Sequence, residues 1–317
     1  MTVGFFKNIW ELNRGKLISY LVLAFSLLVV GYLIRGQKEI LARILDINIY
    51  QFLIISFIVI LTPFIDGLRT IFLTKQFGVK LNISEAVALS CVNNFWNYLP
   101  LTGGLVIRSL YLKKRHGFSY SNFLATTAAS YIISFLSFGL VGLFSILLLW
   151  RSTGVANLVV VSILLLTVLF SVVMIKINFN FNFKNRFLLK FVQIIDGWKN
   201  LRKQKDLILK LITLDFALIG VFALRLFLAA QFLGISIPPL GILIIVSLSL
   251  FAVLLNITPG ALVIKEAIIS LSAAALSYNL YDALTISLLD RAVSMIWIFL
   301  MGVVFSFYLT RLSTKKR

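Results

Sequence analysis

Asp66, Arg69, Arg108, Asp215, Arg225, Lys265, Glu266, Asp290 and Arg291 all lie within or at the edge of long apolar runs. A charge facing acyl chains costs several kcal/mol, so these side chains must pair with one another or line a wet cavity. Asp66 and Arg69 stand three apart on one helical face and can pair locally, a role as readily structural as functional. Lys265 and Glu266 are adjacent, as are Asp290 and Arg291, and adjacent helical residues do not face each other. Cross-pairing between the two segments, Lys265 with Asp290 or Glu266 with Arg291, would satisfy all four. Arg108 has no evident carboxylate beside it, which makes an anionic ligand its natural partner. Glu266 and Asp290 are the candidates for acid or base chemistry, but no nucleotide-binding or metal-binding spacing accompanies them.

The segments carrying Arg108 and Lys265 share a second feature. Leu99–Ser109 reads LPLTGGLVIRS and Thr258–Glu266 reads TPGALVIKE, so the runs starting at Gly103 and Gly260 match as Gly/Gly, Gly/Ala, Leu/Leu, Val/Val, Ile/Ile and Arg/Lys. Asn97 precedes Pro100 by three residues, as Asn256 precedes Pro259. Pro100, Gly103 and Gly104 interrupt one apolar helix, and Pro259 and Gly260 another. In each copy a second helical arm is expected to start at the glycine, capped by Thr102 or Thr258, with Pro259 suited to a first turn. Free amides and the positive end of the helix dipole at such a start suit a phosphate or carboxylate. Asn97 and Asn256, one turn before each break, could bond backbone or ligand, or act only as polar glue between helices.

Composition restricts what can position these residues. The chain of 317 residues is 60% hydrophobic and 13% charged, with mean hydropathy +1.02, far too apolar for a soluble domain of that size. An all-α polytopic membrane helix bundle is the expected fold. The net charge of +19 reflects Lys and Arg gathered in cytoplasmic loops and does not point to nucleic acid. A single cysteine, Cys91, and a single histidine, His116, exclude an internal disulfide and a Cys/His metal cluster. No cofactor and no metal is expected.

A membrane-crossing helix needs about 20 apolar residues. Leu17 to Ile34 qualifies; it follows Lys7, Arg14 and Lys16 and lacks a small-residue cleavage site, so it reads as a retained first span. Further spans are expected over 52–73, 122–150, 155–175, 207–233 and 284–309, with a short surface helix over 37–48. Asn82 and Glu85 read as a capping box that opens a helix at Ile83. Residues 83–112 and 240–276 are too short for two crossings each and read as broken re-entrant hairpins. About six full spans, with both termini, the Lys113–Arg115 cluster and the Lys184–Lys210 region cytoplasmic, bring the hairpins in from opposite sides. That is the pattern of inverted repeats, here about 52–150 and 207–310 of one domain covering 1–317, with a substrate site near the midplane. Chance recurrence of Pro and Gly in membrane helices is the competing reading. Lys184–Asp206 carries Phe187, Phe191, Ile194, Ile195, Trp198 and Leu201 at helical spacing opposite Lys190, Lys199, Arg202 and Lys203. It reads as a basic amphipathic helix on the anionic cytoplasmic leaflet, each cation contributing about 1 kcal/mol.

Gly67–Ser119 with its LPLTGGLVIRS block, together with NITPGALVIKEAIISLSAAAL and LLDRAVSMIWIFLMG, resembles the flippase-like membrane family typified by the transmembrane region of lysylphosphatidylglycerol synthases. The resemblance covers nearly the whole chain. It implies movement of an anionic, aminoacylated or polyprenyl-phosphate lipid between leaflets. The positions it carries over are Arg69, Asn97, Pro100, Gly103, Gly104, Arg108, Pro259, Gly260, Glu266 and Arg291. In that reading Arg108 and Lys265 bind phosphate, and Glu266 meets an amine or a cationic partner. Two departures stand out: Ala261 follows Gly260 where the family carries a glycine pair, and Ser130-Tyr131 stands at the place equivalent to Asp290-Arg291. The sequence reads to Arg317 without the soluble aminoacyl-transferase domain of some relatives, so lysyl transfer is not expected. The competing functions are a membrane enzyme or glycosyltransferase partner acting on polyprenyl-phosphate lipids, and a soluble-solute transporter. The expected partners are a membrane phospholipid or polyprenyl-phosphate lipid, with a second copy of the chain or a separate transferase enzyme as protein partner. The expected location is the bacterial or archaeal cell membrane.

Overall fold

The computed structural model describes residues 38–98, 103–154, 157–177, 186–255 and 258–314. Among them the regular structure is helical: α1 (Lys38–Leu45), α2 (Ile49–Lys75), α3 (Ile83–Trp96), α4 (Gly103–His116), α5 (Tyr120–Thr153), α6 (Leu158–Lys176), α7 (Arg186–Arg202), α8 (Lys205–Phe232), α9 (Pro239–Leu255), a 3₁₀ turn (Pro259–Ala261), α10 (Ile264–Ala275) and α11 (Leu280–Thr314). Five of these, α2, α5, α6, α8 and α11, are long and apolar enough to cross a membrane. Their outward faces carry side chains such as Phe57, Phe144, Leu158, Leu166 and Phe307, all exposed, as helices solvated by lipid require. The expected span over Leu17–Ile34 lies outside the described residues.

The remaining apolar helices are short. α3 and α4 have 14 residues each, about 21 Å at 1.5 Å per residue, well under the roughly 30 Å of a hydrocarbon core. α9 has 17 residues and α10 has 12. α3 packs on α4, and α9 on α10, as two helical hairpins. The packing around them has a reciprocal pattern. α3 lies against α2 and α11, α9 lies against α8 and α5, and α2 packs on α8. Each first arm therefore touches the long helix before it and the long helix that follows the other hairpin. Contacts this close use small polar residues: Ser134, Ser137, Ser171 and Ser247 are completely buried between helices.

Caps fix where the elements begin. The capping box belongs to α2, where Asn48 accepts from the Gln51 amide at 2.9 Å and Gln51 Oε1 accepts from the Asn48 amide at 3.1 Å. Asn82 does stand at the N-cap of α3 but makes no side-chain cap bond, correcting the expected Asn82–Glu85 box. Asn157 caps α6 through the Val159 and Val160 amides and donates to the Ala275 carbonyl at 2.9 Å, tying the α5–α6 turn to the end of α10.

α7 is docked on the bundle. Trp198 and Leu201 are buried with Ala129, Ile133, Leu207 and Leu211. Arg202 donates to the Ile175 and Ile177 carbonyls at 2.8 and 2.6 Å, satisfying the end of α6. This C-terminal part of the apolar face therefore meets protein rather than lipid, because it covers the free end of a neighbouring helix.

Glu85 turns instead to the second arm of its hairpin. It accepts from Tyr111 Oη at 2.6 Å, Arg115 Nε at 2.9 Å and His116 Nε2 at 2.9 Å, while Arg115 also donates to the Leu312 carbonyl of α11. Burial works to raise its carboxyl, but hydrogen bonds from His116 and Tyr111 and the charge of Arg115 draw it from the ordinary 4.5 down to about 2. A carboxylate held low in the folded state stabilises the fold above the unfolded glutamate's titration. That contribution disappears as pH falls from 4.5 toward 2. Glu85→Gln is expected to lower the unfolding temperature of purified protein at neutral pH, with the gap from wild type closing as pH descends through this window. A gap that does not change with pH contradicts the assignment.

Candidate functional site

The end of α3 meets the second helix break. The Gly260 amide donates to the Asn97 carbonyl at 2.7 Å. The Tyr98 ring covers Gly260 so closely that a β-carbon there would stand 2.7 Å from the ring. The backbone approach is thus tight at this break even though Ala261 follows Gly260 in place of a second glycine. Gly260, Ala261 and Val263 have φ of 60°, 53° and 66°, and left-handed residues cannot continue a right-handed helix. The chain makes a 3₁₀ turn over Pro259–Ala261, with Pro259 buried in its first position, and α10 starts only at Ile264. This corrects the expected start of the second arm at Gly260. It also corrects the role of Thr258, whose hydroxyl donates to the Leu262 carbonyl at 2.8 Å and caps no helix.

In the first hairpin the arm does start at Gly103. Gly104 sits against α3, where a β-carbon would lie 2.2 Å from the Asn93 carbonyl and 2.3 Å from Asn97 Oδ1. Only glycine lets the two arms close to that distance. Pro100, Thr102 and Asn256 lie outside the described residues.

Around this junction the intramembrane charges sort into pairs. Arg291 Nε donates to Glu266 Oε1 at 2.6 Å, and its Nη1 reaches Tyr98 Oη at 3.0 Å and the Gly260 carbonyl at 2.8 Å. One guanidinium therefore holds the second break, its carboxylate and the aromatic ring of the first break. Lys265 Nζ lies 3.1 Å from Asp290 Oδ2, so both expected cross-pairs form. Asp290 is shared, since Arg225 Nε donates to its Oδ1 at 2.8 Å. Two cations on one carboxylate leave this triad with one positive charge in excess.

Asp66 and Arg69 do not pair as expected. Arg69 forms its ion pair with Asp215 of α8 and donates to Ser130 and Ser134 of α5 at 3.2 and 3.1 Å. Ser134 and Ser137 in turn donate to Asp215 at 3.0 and 3.2 Å. The local pairing loses because α5 and α8 offer a fully enclosed set of acceptors to the same guanidinium. Asp66 is left without a side-chain partner among the described residues. Arg108 has no carboxylate partner among them either: it donates to Thr70 Oγ1, and its buried Nε has no acceptor.

These groups surround one cavity of about 260 Å³, lined by Arg69, Arg108, Arg225, Lys265 and Arg291 together with Asp66, Asn97 and Trp297. Glu266 and Asp290 are buried behind it at 4% and 0% exposure. They are counter-ions to the lining cations, so the carboxylate that faces the cavity is Asp66 and not Glu266. With Arg69–Asp215 and Arg291–Glu266 neutral as pairs, the balance is the extra charge of the Arg225–Lys265–Asp290 triad plus Arg108 against Asp66, a positive excess. Such a cavity favours an anion and offers the Asp66 carboxylate as an acceptor to any donor group that the anion carries.

Tyr98 and the stabilising role of Asp215 were not legible as site features. Tyr98 shows only as an aromatic residue beside Asn97 and the break. Asp215 lies in an apolar run far in sequence from Arg69, and only the fold brings them together.

Residues 17–302 match the family described as Lysylphosphatidylglycerol synthase TM region. No curated protein and no solved structure matches the chain. The matched stretch takes in both hairpins and every lining residue of the cavity, and with the apolar helices it makes the chain an integral membrane protein. This protein belongs to the family of the lysylphosphatidylglycerol synthase transmembrane region.

Proposed function

We propose that the protein moves a phosphate-bearing lipid between leaflets, with the headgroup held in the cavity where the end of α3 meets the second helix break. One observation carries this reading: Arg108 lines a positively charged intramembrane cavity with its Nε unsatisfied and no carboxylate partner among the described residues. A cation that costs several kcal/mol in a bilayer and is left unmatched calls for an anionic ligand. The triad of Arg225, Lys265 and Asp290 supplies a second positive locus on the same cavity.

The reciprocal packing of α3 on α11 and α9 on α5 supports an inverted pair of repeats, in which one hairpin opens to the cytoplasm and the other to the outside. Rocking at the junction of Asn97 and Gly260 would expose the cavity to each side in turn. Lys113, Lys114 and Arg115 at the end of α4, with the basic α7, support a cytoplasmic location for those ends.

Translocation of a labelled phosphatidylglycerol in proteoliposomes, with the lipid's mass checked before and after, tests the reading. Movement at unchanged mass is expected, and chemical conversion of the lipid would favour a membrane enzyme. A charge-assisted bond is worth about 1.5–3 kcal/mol, so Arg108→Ala is expected to weaken lipid binding about 10- to 100-fold. Addition of Lys265→Ala should remove transport, and retained translocation by the double variant would sink the site.

Stability separates the two classes of charge. Removing one partner of a buried pair costs about 3–5 kcal/mol. Glu266→Gln is therefore expected to lower the unfolding temperature clearly, whereas Arg108→Ala leaves it near wild type. Equal losses in both variants would mean that Arg108 is a structural residue.

A further inference from the structure

Among the described residues, Asp66 is the cavity-lining carboxylate that stands outside the ion-pair network. It lines the cavity on α2, within electrostatic reach of Arg69 on its own helix and Arg108 on α4. No side chain among the described residues bonds to it. The other ionisable groups around it are already committed or uncharged. Asp215 of α8 is held by Arg69 and Arg291 by Glu266, while across the cavity Arg225 and Lys265 share Asp290 and their one excess positive charge is not among those that reach Asp66. Tyr131 of α5 and Cys91 of α3 also line the cavity, both neutral groups near pH 7.

Asp66 and Arg108 line the same cavity outside the ion-pair network, without a direct bond between them but within electrostatic reach of each other. A phosphate that docks on Arg108 puts a second anion beside the same cation, in surroundings where like charges interact far more strongly than in water. One proton on Asp66 removes that repulsion. Building on the anionic-lipid reading above, we propose that Asp66 takes up a proton as the lipid phosphate binds, so that lipid and proton occupy the cavity together. The proton comes from water and adds to one carboxylate oxygen, and no other bond changes. A proton gradient then biases which membrane face loads the lipid, because the face at lower pH binds it more tightly.

Calorimetry on the full-length protein in detergent, titrated with short-chain phosphatidylglycerol in buffers of different ionisation enthalpy, counts the protons taken up. The phosphodiester is chosen because a phosphate monoester titrates itself, with a second pKa near about 6. Wild type is expected to take up about one proton per lipid at neutral pH, and its affinity to rise up to about tenfold for each pH unit lowered. Asp66→Asn should bind lipid with no proton uptake and no pH dependence, and Asp66→Glu should restore both. Lipid binding by wild type without proton uptake, or uptake persisting in Asp66→Asn, overturns the proposal while leaving the headgroup site intact. Absence of lipid binding at every pH overturns the headgroup reading and this inference with it.

Discussion

A charge inside a bilayer must be matched by another charge, by polar groups or by a ligand, and much of this bundle's tertiary arrangement can be traced to how that matching is done. Arg69 joins α2 to α8 through Asp215 and to α5 through Ser130 and Ser134. Arg225 and Lys265 converge on Asp290, joining α8, α10 and α11. Arg291 joins α11 to Glu266 of α10, to the backbone of the second break and to Tyr98 of the first. Each pair is buried and each links different helices, so the network specifies which helices meet and at what height. Buried pairs of this kind are weak evidence of net stabilisation, but breaking one is costly, and that asymmetry favours a unique arrangement.

The backbone junction adds a second constraint. Helix breaks expose unpaired amides and carbonyls that lipid cannot satisfy. Here one break supplies what the other lacks: Gly260 donates to the Asn97 carbonyl, and the Gly260 and Ala261 carbonyls accept from Arg291. Irregular backbone is thereby enclosed by protein around a cavity. Gly104 and Gly260 are the positions where this closeness leaves no room for a side chain. Among the described residues, this irregular backbone and the surplus positive charge line the same cavity.

Much of this was readable from residue types. The adjacency of Lys265 with Glu266 and of Asp290 with Arg291 disfavours pairing within a helix and points to cross-pairing between the two segments, though not to the share of Asp290 that Arg225 takes. The apolar lengths gave the long helices to within a few residues, because hydropathy and span length are set by the bilayer. Errors arose where a local rule competed with tertiary structure. Asp66 and Arg69 satisfy the three-residue spacing, yet Arg69 turns to Asp215, which no sequence rule connects to it. Asn82 and Glu85 have capping-box spacing, yet Glu85 is drawn to Tyr111, Arg115 and His116 on the second arm. The match of GGLVIRS with GALVIKE is real in sequence but not in conformation, because positive φ at Ala261 and Val263 delays the second helix by four residues relative to Gly260. Non-glycine residues give no warning of such angles.

The matching of charges also isolates what is unmatched. Among the described residues, Arg108 and Asp66 are the charged groups that line the cavity outside the ion-pair network, which ties the functional reading to the Arg108 guanidinium. A structure of the protein in lipid nanodiscs, at a resolution that locates a phosphate, tests this most directly. Phosphate density is expected in the cavity within hydrogen-bonding distance of the Arg108 guanidinium, beside the junction of Asn97 and Gly260. A cavity filled by acyl chain or water, with Arg108 closed onto Asp66, would contradict it.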